Sequence, residues 1–113
     1  MGGTAIFAGS GLRDEYMNAY RVTAATVTTI ANSFYVCDCS SNAIAVTLPV
    51  GVSAQGTMVI VKRADVTYSS AVAVTFSAQA SQSLFDSISL TLNGQAVTWV
   101  YDGNGTTGTW NVA

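Results

Sequence analysis

Apolar and β-branched residues alternate with polar ones in short runs along the whole chain, and turn residues break the runs about every ten positions. No segment of useful length repeats apolar residues at helical spacing. This pattern predicts an all-β domain, a compact sandwich or barrel-like body of short strands. A first strand is read from Arg21 to Ile30 (RVTAATVTTI), and a second from Phe34 to Cys39. A third runs from Ala43 to Leu48, with Ile44, Val46 and Leu48 on one face. Pro49 has no N–H to donate and ends the pairing there, and Gly56 re-enters the sheet after a connection with room for one helical turn. Thr57 to Lys62 and Ala71 to Phe76 follow, then an uncharged loop from Ser77 to Ser83. Leu84 to Leu92 alternates again, with Leu84, Ile88, Leu90 and Leu92 in phase. After the NGQ turn, Ala96 to Tyr101 and Thr109 to Val112 form a terminal hairpin around DGNGTTG.

Residues 1–20 differ: they are Gly-rich, then carry Arg13, Asp14, Glu15, Tyr16, Met17 and Tyr20 in close order with no strand pattern. The chain thus divides into an irregular N-terminal arm, 1–20, and a β-domain, 21–113. A frayed terminus and an arm that docks on a partner both fit such a segment, since Tyr and Arg are favoured at interfaces.

A domain of 113 residues buries only about two-thirds of the surface its unfolded chain exposes. Here 50% of residues are hydrophobic and 9% charged, against a typical charged fraction of about 25%. The excess apolar surface is expected to be covered by copies of the chain or by a partner. A net charge of −2 argues against nucleic acid, which needs clustered cations. The only cluster is Lys62–Arg63, read either as a solvated strand end or as one side of a salt bridge to Asp38, Asp65 or Asp86. No apolar run reaches the ~20 residues of a membrane helix. The N-terminus has no basic opening or apolar core for export, so synthesis in a cytoplasm is expected.

With no histidine, Ser-His-Asp and Cys-His mechanisms are excluded. The six acids are scattered, and Asp86 and Asp102 read as turn formers. GNGTTG lacks the lysine of a phosphate loop. No enzyme and no cofactor are expected. Cys37 and Cys39 read as small buried thiols; a metal site shared by several subunits is the other option. Trp99, Tyr101 and Trp110 gather on the terminal hairpin. Exposed, they would stack on sugar rings; buried, they form a core or subunit contact, each ring removing ~150–250 Å² from water.

Two strands are apolar on both faces: Met58–Val61, and Ala96–Tyr101 apart from Thr98. A small sheet covers one face with its own second sheet, so the other is expected to meet a neighbour. The order of features is IAVTLP (Ile44–Pro49), a short connection, a Gly-x-x-x-x-Val-Lys run (Gly56–Lys62), a VAVTF strand, and QAVTWVYDG followed by GTWNV. This order resembles the small trimeric β-modules of tailed-phage virions found in head fibres, tail fibres and capsid decoration (cement) proteins. The likeness covers residues 21–113. It implies a homotrimer with a β-prism-like three-fold assembly, in which Val59, Val61, Val97, Trp99, Tyr101 and Trp110 are candidate interface residues. It also implies a structural role on the outer capsid surface, with the major capsid protein as partner and Arg13, Asp14, Glu15, Tyr16 and Tyr20 as candidate contacts. The alternative it leaves is a fibre module or adhesin that binds host-surface carbohydrate through the hairpin aromatics. Neither a nucleic acid nor a membrane is an expected partner.

Overall fold

The computed structural model describes residues 18–49, 55–103 and 107–113. Within them the chain forms ten strands and no helix. These are β1 (Asn18–Val22), β2 (Thr26–Thr28), β3 (Ser33–Cys37), β4 (Ile44–Thr47), β5 (Met58–Arg63), β6 (Val74–Ser77), β7 (Gln82–Leu84), β8 (Ser89–Leu90), β9 (Ala96–Gly103) and β10 (Gly108–Val112). They build a six-stranded sheet of order β1-β3-β5-β9-β10-β7 and a four-stranded sheet of order β2-β4-β6-β8.

From β1 to β8 the chain changes sheet at every strand. As a result β1, β3 and β5 pair in parallel in the larger sheet, while β2, β4 and β6 pair in parallel in the smaller one. Parallel neighbours need a crossover, which is usually a helix. Here the strand laid down in the opposite sheet is the crossover, so a helix-free chain still forms parallel sheets. β9 then reverses, pairing antiparallel with β5 and, through the terminal hairpin, with β10.

The inner faces meet in one core: Tyr35, Cys37, Val59, Val61, Val97, Trp99, Tyr101 and Trp110 from the larger sheet, and Ile44, Val46, Val74 and Leu90 from the smaller. The rings interlock, Phe76 on Trp99 and Tyr101 on Trp110, each pair tilted with centroids 5.3 Å apart. Each fully buried Val, Ile or Leu contributes about 1.5–3 kcal/mol. The expected face of Ile44, Val46 and Leu48 is buried throughout, and Leu48 extends the ladder of β4 by one bond to Ser77 before Pro49.

The outer faces differ. That of the smaller sheet is mostly hydroxyl: Thr26, Thr28, Thr47, Thr75, Ser77 and Ser89. It supplies polarity without charge, which meets part of the shortfall in ionic residues. On the larger sheet Phe34, Val36, Ile60 and Val100 are half-buried and Met58 is exposed.

Several strand boundaries depart from expectation. Arg21 to Ile30 is not one strand, because a bend at Ala24–Ala25 sends β1 and β2 to different sheets. Leu84 to Leu92 likewise splits into β7 and β8, and the loop expected up to Ser83 ends where β7 begins at Gln82. Of the three leucines and one isoleucine read as one face there, only Leu90 is buried, and Leu92 is 57% exposed. Asp86 sits at a bend, as expected of a turn former, and its carboxylate also accepts from the backbone N–H of Val112 at 2.7 Å, closing the free end of β10; Asp102 instead lies within β9. The helical turn allowed between Pro49 and Gly56 falls on residues 50–54, outside the described residues.

Candidate functional site

The Lys62–Arg63 pair divides at the sheet. Alternation along β5 puts Val59, Val61 and Arg63 on the inner face and leaves Met58 and Lys62 exposed. Arg63 is therefore not a solvated strand end: it has no exposed surface. A guanidinium in that position needs all five N–H groups satisfied. Nε donates to Asp65 Oδ2 at 2.9 Å, and Nη1 to the carbonyls of Val72 and Leu90 at 2.9 and 3.1 Å. Nη2 donates to the Ser69 carbonyl at 2.9 Å and pairs with Asp65 Oδ2 at the same distance. Tyr68 places its ring 5.0 Å from the guanidinium carbon and its hydroxyl on the Thr91 carbonyl. Asp65 Oδ1 accepts from the backbone N–H of Cys39 at 2.6 Å, so the pair joins the ends of β3 and β5 to the loops around β6 and β8. Of the three acids offered as partners, the sequence's own Asp65 is the one used.

Beside this pair, Asp38 accepts from the Ser40 hydroxyl and backbone, from Val66 N–H and from Arg21. These bonds, those from Ser40 first, hold its carboxyl down at about 2. Cys37 and Cys39 are both buried and free, as expected for packed thiols. Burial, then the neighbouring Cys39 and Asp65, push the Cys37 thiol up to about 12; burial also raises Cys39. Thiols of that kind are poor nucleophiles and poor ligands. Among the described residues no three Cys, Asp or Glu side chains converge to hold an ion.

The six residues offered as a subunit contact lie elsewhere than expected. Val59, Val61, Trp99 and Trp110 have no exposed surface in the single chain, Tyr101 has 1% and Val97 5%. Their side chains fill the space between the two sheets of one chain and have nothing left to offer a neighbour. The same burial removes Trp99, Tyr101 and Trp110 as a platform for sugar rings. Of the arm residues, Arg13, Asp14, Glu15 and Tyr16 lie outside the described residues. Tyr20 does not belong to an irregular arm: it sits in β1, stacked on Tyr35 with centroids 5.2 Å apart.

What remains as a surface is the outer face of the larger sheet, which alternation in β3, β5 and β9 makes apolar. Strand register sets Ala19, Phe34, Ile60 and Thr98 in one row and Met58, Val100 and Asn111 in the next. Arg21 and Lys62 stand in the row beyond one end, and Asp102 in the row beyond the other. The face is an apolar waist between a basic margin and an acidic one. No family model matches the chain, and no curated protein matches it.

Proposed function

We propose that the protein is a structural virion component: a homotrimeric decoration protein that sits on the outer surface of a phage capsid, binds the major capsid protein and reinforces the shell. The observation that carries this reading is the apolar waist of the larger sheet, with Phe34, Ile60, Met58 and Val100 facing outward from a domain whose core is already complete. Three such faces turned toward a common axis would bury the waist and leave the charged margins at the two mouths, in water. The surrounding chain fits an assembly role, since its buried ions and thiols are engaged in holding the fold together. The order of strand motifs from Ile44 to Val112 adds the likeness to trimeric virion modules.

In this reading the segment before β1 is the capsid-contacting arm. Co-sedimentation with expanded, undecorated capsids tests both parts. The arm should be removed at residue 17, because β1 begins at Asn18 and a cut at residue 20 would take three of its five residues. The full chain is expected to pellet with the capsids and the truncated chain to stay in solution. Equal binding by both would refute the arm, and failure of the full chain to pellet would refute the decoration role.

A further inference from the structure

At the corner where β9, β10 and β7 end, a cleft of about 630 Å³ opens between Ser81–Ser83, Asp102–Gly103 and Thr107–Thr109. Two glycines are part of its lining. Gly103 and Gly108 are register partners, and the Tyr101 phenol lies against both. A Cβ on either would come within 2.5 Å of the Tyr101 hydroxyl oxygen, so both positions stay bare.

Around that floor the polar groups are held in place by neighbours. Asp102 Oδ1 accepts from Gln55 Nε2 at 2.7 Å, and Gln55 Oε1 accepts from Gly103 N–H at 3.1 Å. This fixes the carboxylate and leaves Oδ2 as an acceptor. Gln82 Oε1 accepts from the buried Trp110 indole at 3.1 Å, so this side chain turns to the core face and braces the start of β7. Ser83 pairs in register with Thr109, and Thr109 with Asp102. The three side chains thus form one row, about 4.8 Å from strand to strand. One bond further along, Phe85 N–H donates to the Trp110 carbonyl and its ring is 76% exposed.

Charge narrows the ligand. The cations among the described residues are all distant. Arg21 is on the opposite edge strand, Lys62 faces Ala96 at the far end of β9, and Arg63 is buried. An anion would find one carboxylate and no counter-charge. A sugar hydroxyl both donates and accepts, and a pyranose ring has an apolar face that stacks on an exposed aromatic. A fixed carboxylate, two hydroxyls in a row and an exposed phenyl ring, all on the outer face, match those needs.

The geometry points to the outer-face side of this cleft as a binding site for a neutral saccharide, with Asp102, Ser83 and Thr109 taking the hydroxyls and Phe85, two residues along the strand from Ser83, the ring face. The site uses none of the buried hairpin rings and does not depend on a capsid role. The test is titration of the full chain with neutral glucose, galactose and mannose oligosaccharides, followed by backbone amide shifts. A sulfated oligosaccharide of equal length serves as comparison. Shifts are expected at Gln82–Phe85, Asp102 and Thr109, saturating at millimolar sugar. Asp102→Asn should weaken binding by roughly tenfold or more, because a site built on a buried or fixed acceptor rejects its loss. Phe85→Ala, at an exposed position that the fold does not need, should weaken it several-fold with an unchanged melting curve. Thr28→Ala on the smaller sheet should change nothing. Absence of shifts with all three series, equal or tighter binding of the sulfated sugar, or binding indifferent to Phe85→Ala would each overturn the assignment.

Discussion

Arg63 and Asp65 show how a charge-poor chain uses the few ions it has. Removing the arginine alone leaves the Asp65 carboxylate, which has no exposed side-chain surface, without its counter-charge. Arg63→Met is therefore expected to cost about 3–5 kcal/mol in urea unfolding. Arg63→Met with Asp65→Leu should recover part of that loss and no more, because the Cys39 N–H loses its acceptor, a cost of about 1–3 kcal/mol. A double variant less stable than the single one would show that the pair is not the coupled unit described. Asp38 gives a prediction in pH. Its folded carboxyl is lowered from 3.8 to about 2, so the unfolded chain takes up its proton first as pH falls. The stability it contributes is complete above the ordinary carboxylate range and is lost as pH drops through about 4 to 2. Asp38→Asn should flatten the acid limb of stability in that window and leave the neutral-pH slope unchanged, as measured by urea midpoints across pH. The parity that buries Arg63 is present in the sequence, although the strand read there stops at Lys62 and leaves the arginine at a solvated end or in a salt bridge. Val59, Val61 and Arg63 share one parity, and carrying the alternation two residues past MVIV puts the arginine inside. What the sequence did not carry was the set of carbonyls from Ser69, Val72 and Leu90 that makes its burial tolerable.

At the scale of elements, side-chain parity was legible and pairing was not. Period-two alternation placed the inner face of β4 correctly, with Ile44, Val46 and Leu48 turned to the core, but in β5 and β9, apolar on both sides, it left open which face meets water. The parallel winding left no repeat to read. Asn18 aligns with Ser33, fifteen residues on, and Ser33 with Val59, twenty-six on. Strands as short as β2 and β8 carry too few residues to separate them from their neighbours, which is why Arg21–Ile30 and Leu84–Leu92 read as single strands. The terminal hairpin shows what a bare position does for an element. A Cβ on Gly108 would lie 2.3 Å from the Tyr101 hydroxyl oxygen and 2.4 Å from the carbon bearing it. Tyr101 packs against Trp110 in the core and has little freedom to withdraw. Gly108→Ala should therefore destabilise by about 1–3 kcal/mol, the usual range for overpacking. Adding Tyr101→Phe should return part of it by removing the closest atom. Thermal melts of the two variants check this, and an unchanged melting temperature for Gly108→Ala would refute the close approach.

For the whole molecule, the two outer faces make opposite demands. The hydroxyl face of the smaller sheet is stable in water as it stands. The larger sheet presents Phe34, Ile60, Met58 and Val100 together, the face proposed above as the assembly surface. The two-faced strands visible in the sequence led to an expectation of assembly, but the face that carries the six residues offered as the contact is buried within the single chain. Val59 and Val61 point into the core, while Met58 and Ile60, between and beside them, point out. Ile60 sits in the central row, flanked by Phe34 and Thr98, so it is the position at which a charge separates assembly from folding. In a three-fold assembly Ile60→Glu would set three carboxylates near one axis, away from water and close to one another. In the single chain the same side chain stands on an outer face and reaches solvent. Light scattering on a sizing column should give the mass of three chains for the native protein and of one for Ile60→Glu, with melting curves that show the variant still folded. Thr75→Glu, on the hydroxyl face, should remain trimeric. A native protein with the mass of one chain would exclude the trimer. A trimeric Ile60→Glu would move the contact away from this sheet, to the remaining exposed apolar side chains such as Val66 and Leu92.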